Sequence, residues 1–212
     1  MNTIELFSGT KSFSKVAENR GWKTYTVDND CSLNPDYCGD ILEWENPQGI
    51  CDILWASPPC QGFSVAAIGK NWGGGKNAYI PKSDSARKSI ELVKRTMKII
   101  NHLEPDYWFI ENPRGVLRKM DWFEKWVADK GGVRRTITYC QYGDKRMKPT
   151  DIWTNLKEWN PKPMCKNGDT CHEAAPRGSK TGTQGLKNAT QRGEIPEELF
   201  EEIFTVINFY QV

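Results

Sequence analysis

Short apolar runs that stop at polar or proline punctuation alternate along this chain with stretches at helical spacing, and that alternation most restricts the possible folds. Thr3-Ile4-Glu5-Leu6-Phe7 stops at Ser8-Gly9, and Phe13, Val16 and Ala17 then fall at helical spacing up to Gly21. Thr24-Tyr25-Thr26-Val27 ends in Asp28-Asn29-Asp30, and Ile53-Leu54-Trp55-Ala56 ends in Ser57-Pro58-Pro59. From Ser85 to Leu103, Ile90, Val93, Met97 and Ile100 share one helical face, and Glu104-Pro105 stops the helix before Tyr107-Trp108-Phe109-Ile110. A short helix around Trp122 to Val127, a Gly131-Gly132 break and a strand from Val133 to Tyr139 follow. Strands that alternate with helices predict right-handed crossovers, and so an α/β fold with a mostly parallel sheet covered by helices on both faces.

At 212 residues the chain is expected to form one domain with a sizeable core. Residues 1–155 read as a catalytic core, 156–192 as a loop-rich region, and 193–212 as a terminal helix that packs back on the core. Gly62 to Ser85 holds five glycines and little apolar period, so it reads as a long mobile loop of the kind that carries function. Trp159 to Arg192, rich in Gly, Pro, Lys, Thr and Asn, reads as a loop or small lobe. Ile195-Pro196 opens the last helix through Leu199, Ile203 and Val206, with glutamates in its first turn.

Net charge is only +2, but it is unevenly placed: −5 over residues 1–60, +12 over 61–193 and −5 over 194–212. A basic middle between acidic ends points to a polyanionic partner. No window approaches the roughly 20 apolar residues of a membrane span, and the N-terminus lacks a signal-peptide layout, so a cytoplasmic protein with no membrane partner is expected. Seven scattered cysteines make a poor disulfide framework and read as free thiols of a reducing compartment.

Three strand ends carry the chemistry. The Phe7-Ser8-Gly9-Thr10 turn lets the backbone approach a ligand, and Asp28 at the tip of the next strand can take ribose hydroxyls, which suits a nucleoside-bearing cofactor. Ser57-Pro58-Pro59-Cys60-Gln61-Gly62 presents a thiol at the ligand-binding edge of the sheet, on an approach stiffened by two prolines, and Cys60 reads as a nucleophile. Glu111-Asn112-Pro113 ends another strand and would face a carboxyl group toward the same pocket, with burial raising its pKa.

Phe7-Ser8-Gly9, Asp28, Gly39-Asp40-Ile41, Pro58-Pro59-Cys60-Gln61, Glu111-Asn112 and Gln141-Tyr142-Gly143 occur in the order and approximate spacing of the cytosine carbon-5 DNA methyltransferases, which the chain resembles over roughly residues 2–155. The resemblance implies a Rossmann-like, class I methyltransferase fold, S-adenosylmethionine as donor and DNA as partner. It makes Cys60 the nucleophile toward cytosine carbon 6, Glu111 the proton donor to the ring, and Asn112 a brace for the loop. Phe7, Ser8, Gly9, Thr10, Lys11, Ser12, Asp28, Asn29, Asp40, Ile41 and Pro59 are expected to line the donor. Gln61, Ser64 and Arg146 are expected to meet the substrate, and Lys148 to contact the cytosine. The target base would have to leave the duplex stack, with the loop from Gly62 to Gly75 closing behind it.

The chain departs from the family in two places. Thr10-Lys11-Ser12 stands where the family places glycines and puts a cation at the donor's amino-acid end, so carboxy-S-adenosylmethionine, giving carboxymethylcytosine, is an alternative donor. Only residues 156–192 stand in place of a target-recognition domain. Cytosine in RNA is an alternative substrate, and a non-catalytic nucleic-acid-binding protein the reading from another class. Cys165 and Cys171-His172 lack a standard finger spacing and a fourth ligand, so no metal is expected. Trp72 and Tyr79 are candidates to stack on bases, Trp153 belongs to the core, and a monomer is expected.

Overall fold

The computed structural model of the protein describes residues 1–46, 49–75, 78–174 and 189–210. The first half runs β1 (Asn2–Leu6), α1 (Ser12–Asn19), β2 (Lys23–Asp28), β3 (Tyr37–Cys38), β4 (Ile53–Ala56), α2 (Ile68–Asn71), β5 (Trp72–Gly73) and β6 (Ile80–Pro81). The second runs α3 (Asp84–Leu103), β7 (Tyr107–Pro113), α4 (Asp121–Asp129), β8 (Val133–Thr138), β9 (Pro149–Thr154), α5 (Ala189–Gly193) and α6 (Glu197–Tyr210). One seven-stranded sheet has the order β3-β2-β1-β4-β7-β9-β8. The first five strands in that order are parallel, and β9 is antiparallel to both β7 and β8. Strand order reverses at β1/β4, so the carboxyl ends of β1, β2, β4 and β7 open on one crevice, where such sheets bind ligands.

The central parallel strands β1, β4 and β7 are buried on both faces, which is why β4 and the first half of β7 read as continuous apolar runs. In β4, Leu54 and Ala56 face a layer built by Val93, Ile99 and Ile100 of α3 and Phe123 of α4. Ile53 and Trp55 face the other way, onto Phe13 of α1 and Phe200 and Phe204 of α6. Phe13 lies edge-on to both α6 phenylalanines, at 5.6 and 5.3 Å between ring centroids.

Three expectations are corrected, and one strand had not been expected. Strand β9 was not legible: Pro149 heads it where no ladder N–H is needed, and the polar Asp151 breaks its apolar period, yet it separates β7 from β8. Gly62 to Ser85 is not a plain loop, because the described part contains two 3-10 turns, α2 and the β5/β6 hairpin. Within it Trp72 is buried against Phe63, and its indole N–H donates to the Gly62 carbonyl at 2.8 Å, so it is a packing residue and does not face bases. The cysteines are not all free: Cys31 and Cys38 form a disulfide with Cα atoms 5.3 Å apart, closing the turn between β2 and β3. Cys51, Cys60, Cys140, Cys165 and Cys171 are free. No helix among the described residues is long and apolar enough to cross a membrane.

Candidate active site

Ala56 ends β4 opposite Ile110 of β7, so Ser57 to Cys60 leave the sheet beside Glu111 to Pro113, which stay paired with β9. Asn112, fully buried, donates from its side-chain amide to the Pro58 carbonyl at 2.8 Å and ties the two segments together. Cys60 heads a 3-10 turn over Gln61–Phe63, closed by the Phe63 N–H on the Cys60 carbonyl at 3.0 Å. The turn can lie flat on α3 only because position 62 is glycine: a Cβ there would sit 2.3 Å from Ser89 Oγ and 2.8 Å from the Ser85 carbonyl oxygen.

Glu111 is 5% exposed, and the hydroxyl of the fully buried Tyr139 donates to its Oε1 at 2.9 Å. Burial raises the Glu111 carboxyl above the usual range, while the neighbouring Lys148 ammonium and the Tyr139 hydroxyl pull it back. Burial also raises the Cys60 thiol, Glu111 raises it further, and Lys148 and Arg192 lower it. Lys148 is pushed down by burial and held up by Glu111. Its Nζ donates to the Arg192 carbonyl at 3.0 Å and lies 4.4 Å from the Tyr139 ring centroid, with a left-handed backbone at φ 25°. Thiol, carboxyl and ammonium therefore form one electrostatic unit in which the cation favours the ionised form of either acid.

The crevice beside it is made by the β1–α1 turn. Phe7, Gly9 and Lys11 all have positive φ, at 58°, 47° and 57°, a conformation that strains the two non-glycine residues. The Gly9 N–H donates to Asp28 Oδ2 at 2.8 Å and the Asp30 N–H to Asp28 Oδ1 at 2.9 Å, which orients that carboxylate at the tip of β2. Ser8 is buried with no partner for its Oγ, an orphaned polar atom at the floor of the turn. Lys11 Nζ reaches the Asn34 carbonyl at 2.6 Å. Thr10 and Ser12 share a hydroxyl contact at 2.9 Å, and Ser12 Oγ also accepts from the Ile195 N–H at 3.3 Å. Asp40, exposed, accepts from the Leu42 N–H and pairs with Lys88 at 3.5 Å, while Ile41 is buried.

A family profile described as C-5 cytosine-specific DNA methylase matches residues 1–128. The chain belongs to that family of enzymes. A curated relative from Frog virus 3 (isolate Goorha), named "Probable DNA (cytosine-5)-methyltransferase", is 33% identical over 177 residues, covering 81% of this chain and 78% of that one. Among solved structures, a proposed DNA modification methyltransferase encoded within a prophage (E. coli) superposes with a TM-score of 0.51 at 15% identity. The match covers 73% of this chain and 46% of that one, so the chain spans about half of that protein. At that identity the likeness is one of fold, and the fold is that of the class I methyltransferases.

Within this C-5 cytosine methylase, the geometry brings Cys60, Glu111, Asn112 and Lys148 together and puts Phe7, Ser8, Gly9 and Asp28 on the adjoining crevice. Asn29 is exposed beyond Asp28, Pro59 is half-buried beside Cys60, Gln61 is exposed and Ser64 half-buried. Arg146 is turned inward. It is 6% exposed, pairs with Asp144, and donates to the carbonyls of Gln191, Arg192 and Glu194 at 3.0 to 3.1 Å, so it anchors α5 beside the site. Sequence reading missed Tyr139 and Arg192. Tyr139, the aromatic residue just ahead of Gln141-Tyr142-Gly143, carried a signal in being a polar-tipped ring at a strand end; Arg192, in a loop-like stretch, carried none.

Proposed function

We propose that the protein transfers a methyl group from S-adenosylmethionine to carbon 5 of cytosine in DNA, through a covalent bond from Cys60 to carbon 6. The observation that carries this reading is the pairing of Cys60 with the buried Glu111 across adjacent strand ends, with Lys148 acting on both. The β1–α1 turn fits the donor: the orphaned Ser8 hydroxyl, the left-handed turn at Phe7 and Gly9, and the oriented Asp28 carboxylate can hold its polar and nucleoside parts. When bound, S-adenosylmethionine supplies the methyl group as an electrophilic sulfonium carbon.

The residues do the rest. One proton is shared between Cys60 and Glu111, and the reactive distribution places it on Glu111 and leaves a thiolate beside the Lys148 ammonium. The thiolate forms the bond to carbon 6 as ring nitrogen 3 takes the Glu111 proton, and the ring electrons collect at carbon 5. Once carbon 5 is substituted, water takes its proton to solvent, expulsion of Cys60 as thiolate restores the aromatic ring, and Glu111 recovers its proton from nitrogen 3. Asn112 keeps the thiol in place throughout by holding the Pro58 carbonyl.

DNA as substrate is supported by a cavity of about 500 Å³ lined by Val65, Arg114, Gly115, Arg118, Lys119 and Arg134, opening three residues beyond Glu111. Arg114 and Lys119 make no ion pair among the described residues, which leaves them to phosphates. One observation favours a second reading of the donor. Lys11 bonds to a neutral carbonyl and has no carboxylate partner among the described residues, so it can meet the extra carboxylate of carboxy-S-adenosylmethionine.

Nucleoside mass spectrometry of DNA incubated with the protein and either donor, with Cys60→Ala as control, tests the reading. A Cys60-dependent methyl on deoxycytidine supports it, and a carboxymethyl shifts the donor to the carboxylated one. No modification of DNA by protein that still binds it refutes the reading, and modification of RNA alone moves the substrate to RNA.

A further inference from the structure

Outside the catalytic cleft the fold gathers four soft ligand side chains. Cys140 lies in the 3-10 turn after β8 (Tyr139–Tyr142), Cys165 in the coil beyond β9, and Cys171 and His172 close behind it. One ligand atom from each lies within 4.8 Å of all the others. Cys140 Sγ is 3.6 Å from Cys171 Sγ and 3.1 Å from Cys165 Sγ, and His172 Nδ1 is 3.7 Å from Cys171 Sγ and 3.8 Å from Cys165 Sγ. A tetrahedral ion with metal–sulfur bonds of about 2.3 Å requires ligand-to-ligand edges of about 3.8 Å. Three of the four measured edges match. The fourth is tighter than that, but well beyond the roughly 2.05 Å of a disulfide.

We propose that Cys140, Cys165, Cys171 and His172 bind one zinc ion in a closed, four-coordinate structural site. The donor set is all sulfur and imidazole, which selects zinc over the oxygen-seeking cations. Ion binding displaces the thiol protons to solvent and leaves three thiolates on the metal. The immediate surroundings complete the site: the Gln141 side-chain amide donates to Cys171 Sγ at 3.4 Å, and Thr138 Oγ1 accepts from the Cys165 N–H at 3.0 Å. Such outer contacts orient metal ligands.

The segment needs a staple. Beyond Trp159 the described coil to residue 174 buries only Cys165, so apolar packing cannot fix its path. The metal would tie this coil to the turn that begins at Tyr139, the residue that positions Glu111. Sequence spacing hid the site because Cys140 lies 25 residues ahead of Cys165, in a turn that the sheet carries to it.

The test is metal content of the full chain, purified under reducing conditions without chelator and measured by mass spectrometry, together with the absorption spectrum after cobalt substitution. One zinc per chain and a thiolate-to-cobalt charge-transfer band are expected. Cys171→Ser and His172→Ala, both away from the sheet core, should each weaken zinc retention by at least about tenfold, as ligand loss must exceed the effect of losing an outer contact. With zinc removed, trypsin should cut after Lys166 while the sheet keeps its circular dichroism. A full chain that keeps its circular dichroism but holds less than about a tenth of an equivalent and gives no charge-transfer band overturns the proposal. So does peptide mapping that finds Cys140 and Cys165 disulfide-bonded, or variants that retain zinc like the parent.

Discussion

Replacing Tyr139 by Phe removes one oxygen atom from a buried site and isolates what that atom does. Its hydroxyl donates to Glu111 Oε1 at 2.9 Å, and both residues are 5% exposed or less. A hydrogen bond to an ionised group contributes about 1.5–3 kcal/mol, which at 1.36 kcal/mol per pKa unit is about 1 to 2 units. The bond favours the ionised carboxylate, so its loss moves the Glu111 carboxyl further up from a position burial has already raised. Glu111 must hold a proton to deliver it to the cytosine ring, and it loses that competence as pH rises. Tyr139→Phe should therefore shift the limb of the kcat–pH profile that Glu111 governs upward by about 1 to 2 units. Cys60 is raised partly by the Glu111 charge, so the limb that Cys60 governs should move down or stay. Methyl transfer to a DNA duplex, followed from pH 5 to 10 under saturating donor, reads both limbs. A profile with no limb moved upward in an active variant would refute Glu111 as the proton donor under Tyr139's control.

Gly62→Ala should destabilise the fold by about 1–3 kcal/mol and lower kcat, because the new methyl meets Ser89 and the Ser85 carbonyl and lifts the Cys60 turn from α3; equal urea midpoints for variant and parent would contradict this. Glu5, fully buried, accepts the amides of Phe13 and Ser14 yet is raised to about 7 by burial, against 4.5 unfolded. Its raised pKa means stability present below 4.5 and lost as pH climbs through 7, so Glu5→Gln should gain on the parent by about 3 kcal/mol across that window; a pH-independent gap between the two urea curves would count against it. Asn112→Ala should lower kcat by more than it changes KM for DNA, since it frees the Pro58 carbonyl behind Cys60, and unchanged kcat would remove Asn112 from the positioning role.

Where one strand end meets one polar residue, the chain was readable. Cys60 after Pro58-Pro59 and Glu111-Asn112 after Phe109-Ile110 stand on neighbouring strand ends because parallel sheets deliver consecutive apolar runs to one edge. The same reasoning could not see β9, since a strand headed by Pro149 with Asp151 inside carries no two-residue alternation. Nor could it see that Arg146 points inward to the 191–194 carbonyls, because a side chain's direction depends on which distant backbone needs donors. The Cys31–Cys38 bond was equally hidden: proximity across a turn is set by the turn, and cysteine count does not report it. Residues 175–188, within the region read as a reduced recognition element, lie outside the described residues.

Helix α6 covers the aromatic face of β4 and α1, with Phe200 and Phe204 against Phe13 and Trp55. Contacts that span nearly the whole chain impose an order on synthesis. Before α6 has been made, β1, β4 and α1 are complete but one side of their sheet lies bare. A nascent chain with its Cys60 turn already made is then an open-faced intermediate that must be kept from aggregating until α6 docks. The long loop closure that seats α6 makes this late step slow and all-or-none. Removing α6 would thus uncover the sheet and cost the fold as a whole rather than trim an accessory helix.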